Sequence, residues 1–230
     1  MKLISLFSGG KDSCYALFEA INSNHAIVSL LTGDSQETES YLYQLPDINL
    51  TRYAAEAMNI PLVVAETKDS PKKSLSSLQT ALEGIKEETG AEGLLSAVVA
   101  NEEQKKDLSG VCNALKLKYE TPLWKRSQEE LLRTMLDHRF KIMVIGVNAK
   151  GFDENWLGRI LDENALTELA TLHRNFNIDI SGESGQLETL VLDCPLFTKK
   201  ISVRESTKQW DGVCGELKVE KVDLVKKSSE

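Results

Sequence analysis

The sequence lacks a long apolar run, a basic run and paired cysteines. None of its 230 residues falls in an apolar stretch of membrane-spanning length, and the amino terminus lacks the basic–apolar–small pattern of a signal peptide. We therefore expect a cytoplasmic protein with no membrane partner. The net charge is −8 without clustered Lys or Arg. Because nucleic-acid binding usually needs such clusters, we do not expect nucleic acid as the principal substrate.

Cysteine and histidine are both sparse. No CxxC pair occurs and no histidine stands at zinc spacing, so neither a zinc site nor a disulfide framework is indicated. We interpret the four cysteines as reduced, mostly buried thiols and the three histidines as surface or packing residues. They are Cys14, Cys112, Cys194, Cys214, His25, His138 and His173.

The amino terminus combines an apolar segment, a glycine loop and a helical pattern. Leu3–Phe7 predicts a buried strand, and apolar residues at helical spacing follow residue 13. A strand that turns into a helix through Gly9 and Gly10 is typical of a phosphate cradle, because the backbone can approach the ligand and the first helical N–H groups point at an anion. Lys11 adds a positive charge, Ser8 and Ser13 add hydroxyl donors, and Asp12 fits beside phosphates when Mg²⁺ lies between them.

Strand and helix patterns then alternate up to about residue 150. They predict a doubly wound α/β domain over residues 1–150, with a five-stranded parallel sheet. Gly33 ends the second strand, where a parallel sheet borders its ligand, and residues 35–48 are interpreted as a lid. A smaller α+β domain is expected over 151–225, followed by a frayed tail at 226–230. The predicted strands are 3–7, 26–31, 61–66, 93–99 and 140–147 in the first domain and 187–192, 200–204 and 216–224 in the second.

The loop Ser8-Gly9-Gly10-Lys11-Asp12-Ser13 is not a Walker A loop, because Ser5 stands where that motif has its first glycine. It resembles the SGGKDS signature of the PP-loop, or N-type ATP pyrophosphatase, superfamily. The resemblance implies an adenine nucleotide alpha hydrolase-like fold, ATP and Mg²⁺ as cofactors, and release of AMP and pyrophosphate.

Further motifs narrow the resemblance. The segments WLGR and ISGESGQLETLVLDCPLF, together with PLW, are similar to those of the diphthine–ammonia ligase family over about residues 1–205. This family amidates diphthine, a modified histidine of translation elongation factor 2, using ammonium. The resemblance implies that factor as the protein partner. Three positions depart from the family pattern: Gln186 replaces a glutamate, Gln44 replaces a histidine, and residues 97–101 read AVVAN.

The resemblance suggests roles for individual residues. Lys11 and Asp12 are expected to act in catalysis, with Asp12 holding Mg²⁺. Glu183 and Glu188 are candidates to take a proton from ammonium or to steady the substrate cation. Ser8, Gly9, Gly10, Lys11, Asp12, Ser13 and Gly33 are expected to bind ATP, and Trp156, Gly158, Arg159, Gly182, Glu183 and Gly185 to bind the substrate.

Several of these residues keep a structural alternative. Trp156 and Trp210 are aromatic faces suited to the trimethylammonium group of diphthine, although tryptophan is a common core residue and we favour the core for Trp210. Arg159 is suited either to a phosphate or carboxylate or to a structural ion pair. Two other functions also stay open: a tRNA-modifying PP-loop enzyme that adenylates a base, and a non-catalytic ATP-binding module.

Overall fold

The computed structural model describes residues 1–34, 48–66, 71–180, 182 and 185–227. The chain forms two compact units. The first comprises Met1–Ser8, Asp12–Glu56 and Ile60–Lys125, and the second comprises Gly9–Lys11, Ala57–Asn59 and Arg126–Glu230. The boundary predicted at residue 150 therefore lies inside the second unit, and the glycine loop contributes residues to both units.

The amino-terminal elements alternate between strand and helix, as predicted. Five strands form one parallel sheet in the order β3-β2-β1-β4-β5. Because β1 is central and later strands lie on both sides of it, right-handed crossovers place helices on both faces. The doubly wound α/β fold is thus confirmed. The elements are β1 (Lys2–Leu6), α1 (Lys11–Asn22), β2 (Ala26–Asp34), α2 (Ile48–Met58), β3 (Leu62–Glu66), α3 (Pro71–Thr89), β4 (Gly93–Leu95), α4 (Glu102–Leu115) and β5 (Lys118–Glu120).

The helix ends follow local chemistry. Gly90 ends α3 with φ +68° and donates its N–H to the Lys86 carbonyl. Asn101 caps α4 by accepting the N–H of Gln104 at 2.9 Å. The apolar faces of α3 and α4 then pack on the sheet, where Ile4, Leu78 and Leu108 are almost fully buried in one core cluster.

The second unit contains a four-stranded antiparallel sheet in the order β7-β6-β9-β8. Ser127 caps the first helix of this unit by accepting the N–H of Glu130 at 3.4 Å. An α+β architecture for this part of the chain agrees with the prediction. The elements are α5 (Gln128–Asp137), β6 (Lys141–Asn148), α6 (Glu163–Phe176), β7 (Leu187–Asp193), β8 (Lys199–Trp210) and β9 (Cys214–Lys226).

One predicted parallel strand belongs to the antiparallel sheet. The segment Phe140–Val147 was predicted as the fifth parallel strand, but β6 pairs antiparallel with β7 and β9. Its six inner residues are all buried. A continuous apolar run therefore marks a central strand, whichever sheet contains it. The fifth parallel strand is β5, a three-residue edge strand that carries too little pattern to be predicted.

Two smaller predictions were also wrong. The fourth strand ends at Leu95 rather than Val99, although Val98 and Val99 are buried. The carboxyl-terminal residues were expected to fray from 226, but β9 includes Lys226, and Nζ of Lys227 pairs with Asp193 at 2.6 Å. Residues 228–230 and most of the predicted lid, residues 35–47, lie outside the described residues.

Candidate functional site

The glycine loop follows β1 at the carboxyl edge of the parallel sheet. Strands β2 and β3 lie on one side of β1, and β4 and β5 lie on the other. The strand order therefore reverses beside β1, which makes this edge the topological switch point where open α/β sheets bind ligands. Gly33, near the carboxyl end of β2, lies at the same edge.

Hydrogen bonds within the loop join its two ends. The hydroxyl groups of Ser8 and Ser13 lie 3.2 Å apart, and the N–H of Ser8 donates to Oγ of Ser13 at 3.4 Å. Gly9 has φ +80°, a conformation that residues with a Cβ rarely adopt. The predicted tight turn from β1 into α1 is therefore present.

Lys11 and Asp12 form the first turn of α1. Lys11 is only 2% exposed, an unusual position for an ammonium group, because burying a charge is costly unless an anion or several hydrogen bonds stabilise it. Asp12 is the acidic residue of that first turn. No part of the described chain, the loop included, brings three or more His, Cys, Asp or Glu side chains together as metal ligands. The role of Asp12 as a magnesium ligand stays a prediction.

Residues distant in sequence hold the loop from outside. The hydroxyl of Thr51, in α2, donates to the carbonyl oxygen of Ser8 at 2.9 Å. Within the second unit, Val191 N–H donates to the carbonyl of Gly9 at 3.2 Å, and Lys11 N–H donates to Oγ1 of Thr189 at 3.2 Å. The sequence analysis missed Thr51, Thr189 and Val191. A hydroxyl-bearing residue on a helix or strand carries no pattern that reveals a partner so far along the chain.

The candidate base Glu188 lies on β7, one residue before Thr189. It is paired with Gly146 of β6, and Gly146 is paired on its other side with Glu216 of β9. Paired residues on antiparallel strands share a face, so two carboxylates flank a glycine on one face of the sheet. Burial raises the pKa of Glu188, and the negative charge of Glu216 raises it further.

Two glycines with positive φ precede β7. Gly182 and Gly185 have φ +77° and +73°, and Gly185 N–H donates to the Gly182 carbonyl at 2.9 Å. A Cβ on Gly182 would clash with the carbonyl oxygen of Leu187, so this position accepts glycine alone. Glu183, the other candidate acid, lies outside the described residues, and its role stays a prediction.

The WLGR segment packs against β6. Trp156 is 5% exposed, contacts Phe152 edge to face at 5.3 Å between ring centroids, and has the guanidinium of Arg159 4.5 Å above its ring. Both guanidinium NH₂ groups of Arg159 donate to Glu168, at 2.7 and 2.8 Å. Gly158 N–H donates to the Val144 carbonyl at 2.9 Å. These contacts favour the structural alternative for this segment, a core ring and an ion pair, over substrate binding.

Two further residues considered in the sequence, Cys194 and Trp210, differ in how deeply they are buried. Cys194 is 2% exposed, and burial raises the pKa of its thiol to about 12, which agrees with a buried thiol rather than a nucleophile. Trp210, for which we favoured the core, is only half-buried beside Gly215 at the β8–β9 turn.

No helix among the described residues is both long enough and apolar enough to cross a membrane.

Two family models match this chain. The diphthamide synthase N-terminal domain matches residues 1–119, and the diphthamide synthase C-terminal domain matches residues 127–225. The chain belongs to the diphthamide synthase family. A Homo sapiens diphthine–ammonia ligase is 34% identical over 225 residues, which cover 90% of this chain and 84% of the human protein. A Schizosaccharomyces pombe diphthine–ammonia ligase is 30% identical over 217 residues, which cover 87% of this chain and 36% of the yeast protein.

A solved structure of a predicted subunit of tRNA methyltransferase from Methanocaldococcus jannaschii also aligns with this diphthamide synthase family member. The alignment covers 85% of this chain and 98% of that chain, with a TM-score of 0.46 and 16% identity. That likeness is too distant to support a conclusion.

The contacts of Gln186 explain one departure from the family pattern. Oε1 of Gln186 accepts the N–H of Asp179 at 2.7 Å, and the Gln186 carbonyl accepts the N–H of Asn148 at 3.0 Å. A glutamate carboxylate accepts an N–H equally well. Either side chain can therefore accept the N–H of Asp179 and hold the turn. The departure at Gln44 lies outside the described residues.

Proposed function

We propose that this member of the diphthamide synthase family is a cytoplasmic diphthine–ammonia ligase. It uses ATP to amidate the carboxylate of diphthine on translation elongation factor 2, with ammonium as the nitrogen source, and it releases AMP and pyrophosphate. The observation that carries the proposal is the SGGKDS loop at the switch point, with Lys11 buried and with β7, the strand of Glu188, hydrogen-bonded to Gly9 and Lys11.

The first chemical step is adenylation. A diphthine carboxylate oxygen attacks the α-phosphorus of ATP, forming a new P–O bond while the bond to the β-phosphate oxygen breaks and pyrophosphate leaves. The loop amides and Lys11 stabilise charge on the departing pyrophosphate, and alignment supplies much of the acceleration. Asp12 would hold Mg²⁺, an ion that commonly uses one or two carboxylates plus phosphate oxygens and that would shield the phosphate charge.

The second step is amide formation. Ammonia attacks the acyl carbon, a C–N bond forms, and the C–O bond to AMP breaks. The nitrogen must lose protons along this path, so a carboxylate with a raised pKa is a suitable acceptor. Glu188 has that property because it is partly buried and faces Glu216 across Gly146.

The decisive experiment follows an oxygen atom. Elongation factor 2 carrying diphthine labelled with ¹⁸O in its carboxylate is incubated with the protein, ATP, Mg²⁺ and ammonium. The proposal requires one ¹⁸O atom in AMP, unlabelled pyrophosphate and a conversion of acid to amide in the factor by mass spectrometry. Formation of ADP and phosphate, or AMP without label, would show that no acyl-adenylate forms. Nucleotide release without modification of the factor would indicate a different carboxylate substrate.

A further inference from the structure

The three contacts that hold the loop from outside act on adjacent peptide groups. Thr51 binds the carbonyl of Ser8, Val191 binds the carbonyl of Gly9, and Thr189 binds the N–H of Lys11. Thr51 is fully buried and Thr189 is 7% exposed, so neither hydroxyl is in a position to exchange its partner for bulk water. These contacts fix the directions of consecutive peptide planes, and those directions decide what the loop presents to an anion.

A planar trans peptide points its carbonyl and its N–H in opposite directions. The carbonyl of Ser8 points toward Thr51, so the N–H of Gly9 in the same peptide points away from α2. The carbonyl of Gly9 points toward β7, so the N–H of Gly10 points away from that strand. The N–H of Lys11, by contrast, points at Thr189. An inverted peptide at Ser8 or Gly9 would present a carbonyl oxygen to the phosphates, which is repulsive.

We infer that Thr51 and Thr189 are positioning residues of the pyrophosphate cradle: with Val191, they orient the loop so that the amides of Gly9 and Gly10, and not that of Lys11, donate to the departing pyrophosphate. This inference rests on the proposed function, because it assumes that the loop holds the two outer phosphates of ATP. Both threonines act through the loop backbone, so their removal changes phosphate affinity and leaves the affinity for the protein substrate unchanged.

Matched substitutions at Thr51 and Thr189 separate positioning from packing. Thr51→Val and Thr189→Val keep the side-chain shape and delete the hydroxyl, while Thr51→Ser and Thr189→Ser keep the hydroxyl and delete a methyl group. Thr80→Val is the control, because the Thr80 hydroxyl also donates to a backbone carbonyl, that of Ser76, but on the exposed face of α3. The measurements are the Kd of inorganic pyrophosphate with Mg²⁺ by calorimetry, the KM for ATP and for the protein substrate, and the Tm.

Each valine variant is expected to weaken pyrophosphate binding and raise the KM for ATP roughly tenfold, the effect of one lost hydrogen bond. The KM for the protein substrate should not change, the serine variants should restore most of the affinity, and Thr80→Val should match the wild type. Pyrophosphate affinity unchanged in both folded valine variants would overturn the inference. So would serine variants as impaired as the valine variants, since packing alone would then explain the loss.

A measurement on the unaltered protein covers the case in which a valine variant fails to fold. In protein labelled with ¹⁵N-glycine and ¹⁵N-lysine, pyrophosphate should move the amide protons of Gly9 and Gly10 downfield more than that of Lys11. A larger shift at Lys11 would contradict the inference. The two proposals fail in different ways: product analysis of the wild type tests adenylation, whereas pyrophosphate binding tests the loop geometry whatever the products are.

Discussion

The carboxylate of Glu188 lies over Gly146 on the neighbouring strand. A Cβ placed on Gly146 would stand 2.9 Å from Oε2 of Glu188 and 3.1 Å from its Cβ. Real Cβ atoms rarely approach other atoms so closely, so the position of Glu188 depends on the absence of a side chain at residue 146. Glycine in a strand interior weakens the strand, and here it leaves room for a partly buried acid.

Gly146→Ala should therefore reduce amidation while the protein still folds. The added methyl group must push Glu188 aside, at a stability cost of about 1–3 kcal/mol for overpacking. Urea denaturation and AMP release measure the two effects. Gly84→Ala and Gly110→Ala are the controls, since a Cβ at either helical position meets nothing within 4 Å. They should stabilise α3 and α4 by about 0.5–1 kcal/mol and leave activity unchanged.

Glu188→Gln should lower the rate of amide formation roughly a hundredfold, the usual contribution of a positioned base. In the wild type the rate should rise with pH through the raised pKa of Glu188, because only the carboxylate accepts a proton. The measurement compares both proteins at a fixed concentration of free NH₃, so that ammonium titration does not mimic the effect. An identical pH profile in the variant would assign the proton acceptor elsewhere, with Glu183 the next candidate.

The same substitution should stabilise the protein at neutral pH. Because burial raises the pKa of Glu188 in the folded state, the folded protein holds this proton more tightly than the unfolded chain does. Ionised Glu188 therefore lowers the free energy of unfolding. This loss is absent at pH values below the ordinary carboxyl pKa, grows as pH rises toward the raised pKa and reaches its full size above the raised pKa. The Tm of Glu188→Gln should thus exceed that of the wild type at pH 8, and the difference should shrink at pH 4.

Lys11→Ala should lower the rate of AMP formation by roughly a hundredfold or more, because Lys11 neutralises charge on the departing pyrophosphate. Thermal melting and circular dichroism check that the fold persists. Lys106→Ala, on the exposed side of α4, provides the control and should retain full activity. A Lys11→Ala protein that makes AMP at the wild-type rate would remove the loop from the mechanism.

Gln186→Glu should retain activity and stability, since a carboxylate accepts the N–H of Asp179 as the amide oxygen does. Gln186→Met removes that acceptor while keeping a similar length, and should cost about 0.5–1.5 kcal/mol, the net contribution of one hydrogen bond. Chemical denaturation measures the difference. Equal stability of the two variants would mean that the turn does not depend on this hydrogen bond.

The contacts of Arg159 illustrate why the sequence left some roles open. A guanidinium beside a tryptophan suits a phosphate, a carboxylate or a structural pair equally well by residue type. The ion pair with Glu168, nine residues along the chain, gives this guanidinium a structural partner that residue type alone does not reveal.

Local patterns in the sequence determined most of the elements of this protein. The SGGKDS loop, the capping residues Ser127 and Gly90 and the turn glycines Gly182 and Gly185 were all predictable, because each depends on backbone conformation or hydrogen bonding within a few residues. Tertiary structure alone decided that β6 joins the antiparallel sheet, that Gly146 makes room for Glu188, and that Thr51 and Thr189 hold the loop. Those relationships join residues far apart in the chain, and their energy depends on which strands pair and which groups are buried together, which no local pattern encodes.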